Sequence, residues 1–247
     1  MIMTYNEMLY IVQSQLATDL NCTINDLNGE KDSIVFVEAK ENPGRRPFRR
    51  NARYFEIVSM GKSIVVSATA ERLMIAKAMM QGKDRDSVFS LPFIRGLYIH
   101  YLPDLKGIKP ISPTENFTFL LVEEDAVANL LEKTSFHNAI IYNTNLPWKT
   151  GLAMLAKKDG EIVGVAGASK TCEKLWQIGI DILPEYRNLG LASYLVNKLT
   201  FEILERGDVP SYDVIASNLA SQRVAQRSGY FPAWVSDWRC NFDGLEA

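Results

Sequence analysis

The chain has 247 residues, 47% of them hydrophobic and 23% charged, with 27 Lys and Arg against 29 Asp and Glu for a net charge of −2. That composition excludes a disordered, collagen-like or disulfide-scaffold protein, and the charge gives no global positive field to draw in nucleic acid or anionic lipid. Three scattered cysteines (Cys22, Cys172, Cys240) without a CxxC pair, and only two histidines (His100, His137), leave no metal-ligand spacing. No signal peptide and no long apolar span is read, so the expectation is a reduced, cytoplasmic protein with no metal and neither a nucleic-acid nor a membrane partner.

Thr4-Tyr5-Asn6-Glu7 is a capping box, and Met8, Val12, Leu16 and Leu20 follow at helical spacing. Ser33–Val37, Phe55–Ser59 and Ser63–Ser67 read as strands, the last two joined by a turn at Gly61. Thr69 is expected to cap a helix through Leu73, Ala76 and Met80 that stops at Gly82, with Met74, Met79 and Met80 as core filler. Pro103, Gly107, Pro110 and Pro113 fall within eleven residues, and a domain junction is placed there, giving an N-terminal α/β region 1–112 and a second domain 113–247.

Beyond the junction come a strand at Phe117–Val122 and a short helix at Glu123–Leu131. A hairpin of Leu152–Ala156 with Ile162–Ala168 turns at Asp159-Gly160, and a strand follows at Leu175–Leu183. Gly190–Arg206 reads as a helix with Leu191, Leu195, Leu199 and Ile203 on one face. Tyr212–Ala216 is a strand, Leu219–Ser228 a helix, and Tyr230–Trp238 a last strand.

Some motifs carry no chemistry. Ser59-x-x-Lys62 with Lys149-Thr150-Gly151 imitates the ends of a penicillin-binding site, but its serine falls in a hairpin turn. Gly61-Lys62-Ser63 lacks the first glycine of a P-loop, since position 56 is Glu56. The basic run Arg45, Arg46, Arg49, Arg50 and Arg53 reads as a solvated loop, with an anion site for a phosphate-bearing ligand as the alternative.

The informative segment is the strand ending at Pro184 that runs through Arg187-x-x-Gly190-x-Ala192 into a long helix. Amides converging at a glycine turn, added to a helix N-terminus, make an anion cradle suited to a diphosphate. A second strand and then Asn218-x-x-Ser221-x-x-x-Ala225-x-x-x-Gly229-Tyr230 complete the pattern. The order of hairpin, strand, cradle, helix, strand, Asn-led helix and Gly-aromatic resembles the GNAT superfamily of acyl-CoA-dependent N-acyltransferases, over roughly residues 115–240.

The resemblance implies an α+β fold, α/β-like in its helix–strand alternation, with a mixed, mostly antiparallel sheet flanked by helices. The strands at 175–183 and 212–216 would be parallel and splayed. Residues 1–112 would be a degenerate second copy of that fold, as in glycine N-acyltransferase-like enzymes, or a builder of the acceptor pocket. It implies acetyl-CoA as co-substrate, with Ile180 and Ile182 pairing the pantetheine arm, and Arg187, Asn188, Leu189, Gly190, Leu191 and Ala192 holding the pyrophosphate. Asn218 matches a pantetheine contact and also reads as a plain N-cap; Ser221 lies beside it. The reaction implied is direct attack of a primary amine, small-molecule or peptide, on the thioester, with a strand amide near Ile180 serving an oxyanion. Many members carry a tyrosine four residues before the glycine matching Gly229; here it is Ala225. Tyr230 and Ser221 are the nearby substitutes for the acid, and Asp181, with Glu173 behind it, for the base. A non-catalytic acyl-CoA sensor is the alternative.

Overall fold

The computed structural model describes residues 3–46, 54–131, 136–141 and 149–238. In chain order the elements are α1 (Tyr5–Leu20), α2 (Ile24–Leu27), β1 (Ile34–Glu38), β2 (Phe55–Ser59), β3 (Ile64–Ala68), α3 (Ala70–Met80), α4 (Arg85–Phe89) and β4 (Tyr98–Pro103). Then follow β5 (Thr118–Glu123), α5 (Asp125–Leu131), β6 (Thr150–Lys158), β7 (Glu161–Lys170), β8 (Leu175–Ile182), a 3-10 turn (Pro184–Tyr186), α6 (Leu191–Glu205), β9 (Val209–Ile215), α7 (Leu219–Arg227) and β10 (Tyr230–Asp237). No helix among the described residues is long and apolar enough to cross a membrane.

The chain divides into two compact units. One comprises residues 1–8, 101–214 and 218–232, the other residues 9–100, 215–217 and 233–247. In the first, the strand order is β4-β9-β8-β7-β6-β5; β5 to β8 pair antiparallel in succession, and β8 pairs parallel with β9. The sheet is mixed and flanked by helices, the α+β architecture expected.

Helix α6 forms because Leu191, Leu195, Leu199 and Ile203 recur on one stripe, and all four are buried. Each such side chain contributes about 1.5–3 kcal/mol on leaving water. A Cβ on Gly164 of β7 would meet Leu195 Cδ1 of α6 and Ile182 Cδ1 of β8, so even-numbered β8 side chains face α6. The opposite face carries a second core of Val127, Phe136, Ala139, Ile140, Leu155 and Val165.

In the second unit the order is β1-β3-β2-β10, with β1 parallel to β3 and β2 antiparallel to both β3 and β10. Its core holds Phe55, Ile57, Ile64, Val66, Ala76, Met80, Val88 and Phe93.

The Thr4–Glu7 capping box is present: Glu7 N–H donates to Thr4 Oγ1 (3.3 Å) and Thr4 N–H to Glu7 Oε2 (2.7 Å). Three details differ from the sequence reading. Met74 is 70% exposed, so of the three methionines it is surface and not core. Thr69 occupies the N-cap of α3 without a side-chain capping bond; its Oγ1 lies at 3.5 Å from Tyr54 O instead. Strand β9 starts at Val209, three residues earlier than read; Pro210, the second residue of the strand, sits opposite Trp176 in the parallel ladder.

Candidate functional site: a split between two parallel strands

Strands β8 and β9 pair in parallel through Leu175↔Val209, Trp176↔Pro210, Gln177↔Ser211 and Ile178↔Tyr212, and the ladder stops there. Both strands run on, β8 to Ile182 and β9 to Ile215. On its other side β8 stays paired with β7 up to Ile182↔Gly164. Leu183 N–H donates to Val163 O (2.9 Å), so alternation turns the polar groups of Gly179 and Asp181 toward β7 and those of Ile180 and Ile182 toward the split. An edge with unpaired N–H and C=O groups is a template for an extended, amide-bearing ligand.

At the open end the chain curls through the 3-10 turn into α6. Asn188 (φ 63°) and Gly190 (φ 83°) both take left-handed backbone. A short polar side chain makes that conformation accessible to Asn188, and Gly190 has no Cβ to oppose it. A Cβ at Gly190 would find only Thr114 Oγ1, at 3.9 Å, so the surface above the glycine is open. Tyr194 N–H is bonded to Gly190 O (3.1 Å), while the amides from Asn188 to Ser193 have no acceptor among the described residues. Helix α6 carries no acidic residue in its first turn, so its positive end is not neutralised from within. The result is an exposed nest of N–H donors, the geometry of a phosphate cradle.

Arg187 is placed differently from the rest of the nest. Its amide closes the 3-10 turn on Pro184 O (3.3 Å), and its Nε donates to Ile182 O (3.1 Å). One acceptor of the open edge is therefore covered by the chain's own guanidinium. Leu189 is 49% exposed beside it.

Asn218 caps α7, its Oδ1 accepting Ser221 N–H at 3.1 Å. Ser221 Oγ lies 2.8 Å from Tyr212 OH, and Tyr212 is the last paired residue before the split. Burial pushes the Tyr212 hydroxyl up to about 12; its bond to Ser221 lowers it, and the Asp181 charge raises it further. Tyr230 is buried, its OH 2.7 Å from Thr200 Oγ1 on α6, and burial holds its pKa well above the ordinary phenol value. Thr200 Oγ1 also donates to Val196 O (2.7 Å), which commits the Tyr230 proton to Thr200 inside the core. Asp181 accepts three hydrogen bonds from Asn138 and Ala139. Ala225 is fully buried. The sequence reads Tyr212 as a strand residue only and not as part of the site; its signal is its place nine residues before Ser221, in the strand that precedes the Asn-led helix.

Two of the five arginines in the basic run lie among the described residues and are engaged. Arg46 Nε pairs with Asp19 Oδ2 at 2.6 Å, and the Arg45 guanidinium lies 4.9 Å over the Tyr54 ring. Arg49, Arg50 and Arg53 lie outside the described residues, as does Cys240. Among the described residues no group of three or more His, Cys, Asp and Glu could hold a metal ion.

Residues 113–233 match the family model for the GNAT acetyltransferases. This segment, which holds the split and the cradle, is a GNAT acetyltransferase domain. No curated protein matches the chain. Among solved structures it is similar to a GNAT-family acetyltransferase from Colwellia psychrerythraea, at 10% identity over 97% of this chain and 98% of that one, with a TM-score of 0.48. A GCN5-related N-acetyltransferase-like protein from Streptococcus suis shares 18% identity over 72% and 71%, TM-score 0.45. A putative acetyltransferase of the GNAT family from Novosphingobium aromaticivorans shares 22% over 58% and 63%, TM-score 0.41. The chain thus spans less than two thirds of the Novosphingobium protein.

Proposed function

We propose that the protein transfers an acetyl group from acetyl-CoA to a primary amine by direct attack in a ternary complex. The observation that carries this reading is the parallel β8–β9 ladder that ends at Ile178/Tyr212 while both strands continue, with the open nest of Asn188–Ala192 beyond it. The thioester of the co-substrate supplies the activated acyl group. Ile180 and Ile182 hold its amide-bearing arm by strand addition, and the amides of Asn188, Leu189, Gly190, Leu191 and Ala192 hold its diphosphate. Arg187 leaves Ile182 O when the arm enters, and its guanidinium is then free for a phosphate oxygen. Asn218 fixes the first turn of α7 and so sets Ser221.

The Tyr212–Ser221 hydroxyl pair, at the last rung before the split, is the proton donor to the departing thiolate; with its pKa near 12, Tyr212 stays protonated across the working range. The catalytic domain is residues 113–247, with residues 1–112 accessory to it, and the protein works in the cytoplasm. The partner is an amine, free or peptide-borne.

A second reading, an acyl-CoA sensor without turnover, draws on Ala225 being buried and hydroxyl-free and on the Tyr230 hydroxyl being sealed against Thr200. Calorimetric titration with acetyl-CoA, followed by free-thiol release in the presence of amines, separates the two. Heat with thiol release supports the transferase; heat without it supports the sensor; no heat removes both.

A further inference from the structure

The face of the sheet opposite α6 carries a backbone segment seated on glycine. Gly167 of β7 and Gly179 of β8 are register partners. A Cβ on Gly167 would overlap the Ala139 carbonyl, and one on Gly179 would overlap the Asn138 carbonyl. The peptide Asn138–Ala139 therefore lies directly on the sheet in a saddle that only two facing glycines leave open. Asp181 fastens it. Oδ2 accepts Asn138 N–H (2.7 Å) and Ala139 N–H (2.9 Å), and Oδ1 accepts Asn138 Nδ2 (2.6 Å). The far side of the segment is tied to β6, where Ile141 N–H donates to Thr150 Oγ1 (2.8 Å).

Gly179 is also the first residue of β8 beyond the last rung of the β8–β9 ladder. The fastened peptide thus ends at the point where the split begins. One face of the sheet there is closed by the buried stripe of α6. A nucleophile approaching a carbonyl held at the fork must come from the other face, past Asn138–Ala139.

We infer that Asp181 is a positioning residue and not the general base: it fixes the peptide 138–139 as the wall against which the amine acceptor is held. Both carboxylate oxygens are aimed at that peptide, Oδ2 accepting two of its donors and Oδ1 one, so three of the roughly four acceptor sites are taken by it. A carboxylate bonded to two successive backbone amides and a side-chain amide is a charge-assisted clamp, and those bonds are the strong ones. Its effect on the reaction runs through geometry, since an acceptor displaced by about 1 Å loses on the order of 100-fold. This inference rests on the acyl-CoA reading above.

Three variants test it in the full chain, with acetyl-CoA as donor and n-butylamine and a lysine-containing tetrapeptide as acceptors. Asp181→Asn removes the charge of the clamp. Gly167→Ala lifts the peptide from the neighbouring strand without touching Asp181 or the open edge of β8. Asn138→Ala removes one of the three bonds on an exposed side chain and covers the case in which the first two fail to fold. All three are expected to raise the amine KM, roughly tenfold or more for the first two and about threefold for the third, with the acetyl-CoA Kd held within about twofold.

The inference is overturned if Asp181→Asn lowers kcat and abolishes the low-pH limb of the rate profile while Gly167→Ala behaves as wild type, which would make Asp181 the base. It is also overturned if every folded variant keeps the wild-type amine KM, or if neither amine is acetylated by a wild-type protein that binds acetyl-CoA. Failure to bind acetyl-CoA at all would instead remove the reading beneath it.

Discussion

The two ends of the β8–β9 pair are built on opposite principles. At the closed end, Asp208 is a buried carboxylate that accepts from Trp176 Nε1 (2.9 Å), Lys174 Nζ (3.1 Å) and Lys170 Nζ (3.2 Å), and Val209 N–H donates to Lys174 O (2.8 Å). Each of these polar groups has a partner within the chain. At the open end, four residues of β8 continue without a β9 partner, and the amides of Asn188–Ser193 have no acceptor among the described residues. Unpaired backbone is costly where water is excluded, so it persists at an exposed edge beside a firmly closed one. A ligand cleft inside a sheet needs a fastening below the fork as much as donors above it.

Four substitutions probe the two ends separately. The largest effect is expected from Ser221→Ala combined with Tyr212→Phe: with no hydroxyl pair at the fork, kcat should fall about 100-fold or more while the acetyl-CoA Kd stays near wild type. Stopped-assay thiol release beside calorimetry checks the split between the two.

Next is Gly190→Val. A β-branched residue at φ 83° is strained by about 1–3 kcal/mol, so the nest should open and acetyl-CoA affinity fall about tenfold to 100-fold. A Kd within a factor of two of wild type would mean that the nest does not bind the diphosphate.

At the closed end, Asp208→Asn should cost about 2 kcal/mol of stability, read from denaturant midpoints. Burial pushes the Asp208 pKa up, but the Trp176, Lys174 and Lys170 bonds outweigh it and hold the carboxyl below its ordinary value. A carboxylate whose folded pKa is depressed contributes its stability above the unfolded value of about 4, and loses it as pH falls through the folded value. The wild type should therefore lose stability on acidification below about pH 4 more steeply than the variant.

Smallest is Arg187→Ala. Uncovering Ile182 O while removing one cation should leave the acetyl-CoA Kd within about threefold and flatten its salt dependence.

Much of this was legible in the sequence where the signal is local. The apolar stripe Leu191–Leu195–Leu199–Ile203 and the Asp159-Gly160 hairpin each lie within one local element and form as read, while the turn before Gly190 forms with the Arg187 amide spent on Pro184 O. The short helices α2 and α4 were missed although each has its cap: Thr23 with Asp26 forms a capping box, and Asp84 accepts Ser87 N–H (2.8 Å). Four or five residues hold too little periodicity to stand out. Strand β4 was hidden by Pro103 and the prolines after it, because its place in the sheet is set by neighbours more than a hundred residues away.

The site divides the same way. Its backbone half, nest and strand edge, could be read from Gly190 and the strand–helix order. Its side-chain half could not: an aspartate on a strand reads as chemistry until its partners 42 and 43 residues away are seen. Nothing in the sequence shows that Gly167 and Gly179 face each other, since register is a property of pairing.

The most direct test of the split is residue-resolved hydrogen exchange with and without saturating acetyl-CoA. Exchange at the amides of Ile180 and Ile182 should slow by at least tenfold on binding, while Asp181, turned toward β7 in the register, stays unchanged. Unchanged exchange at Ile180 and Ile182 in a protein shown to be saturated would contradict the account.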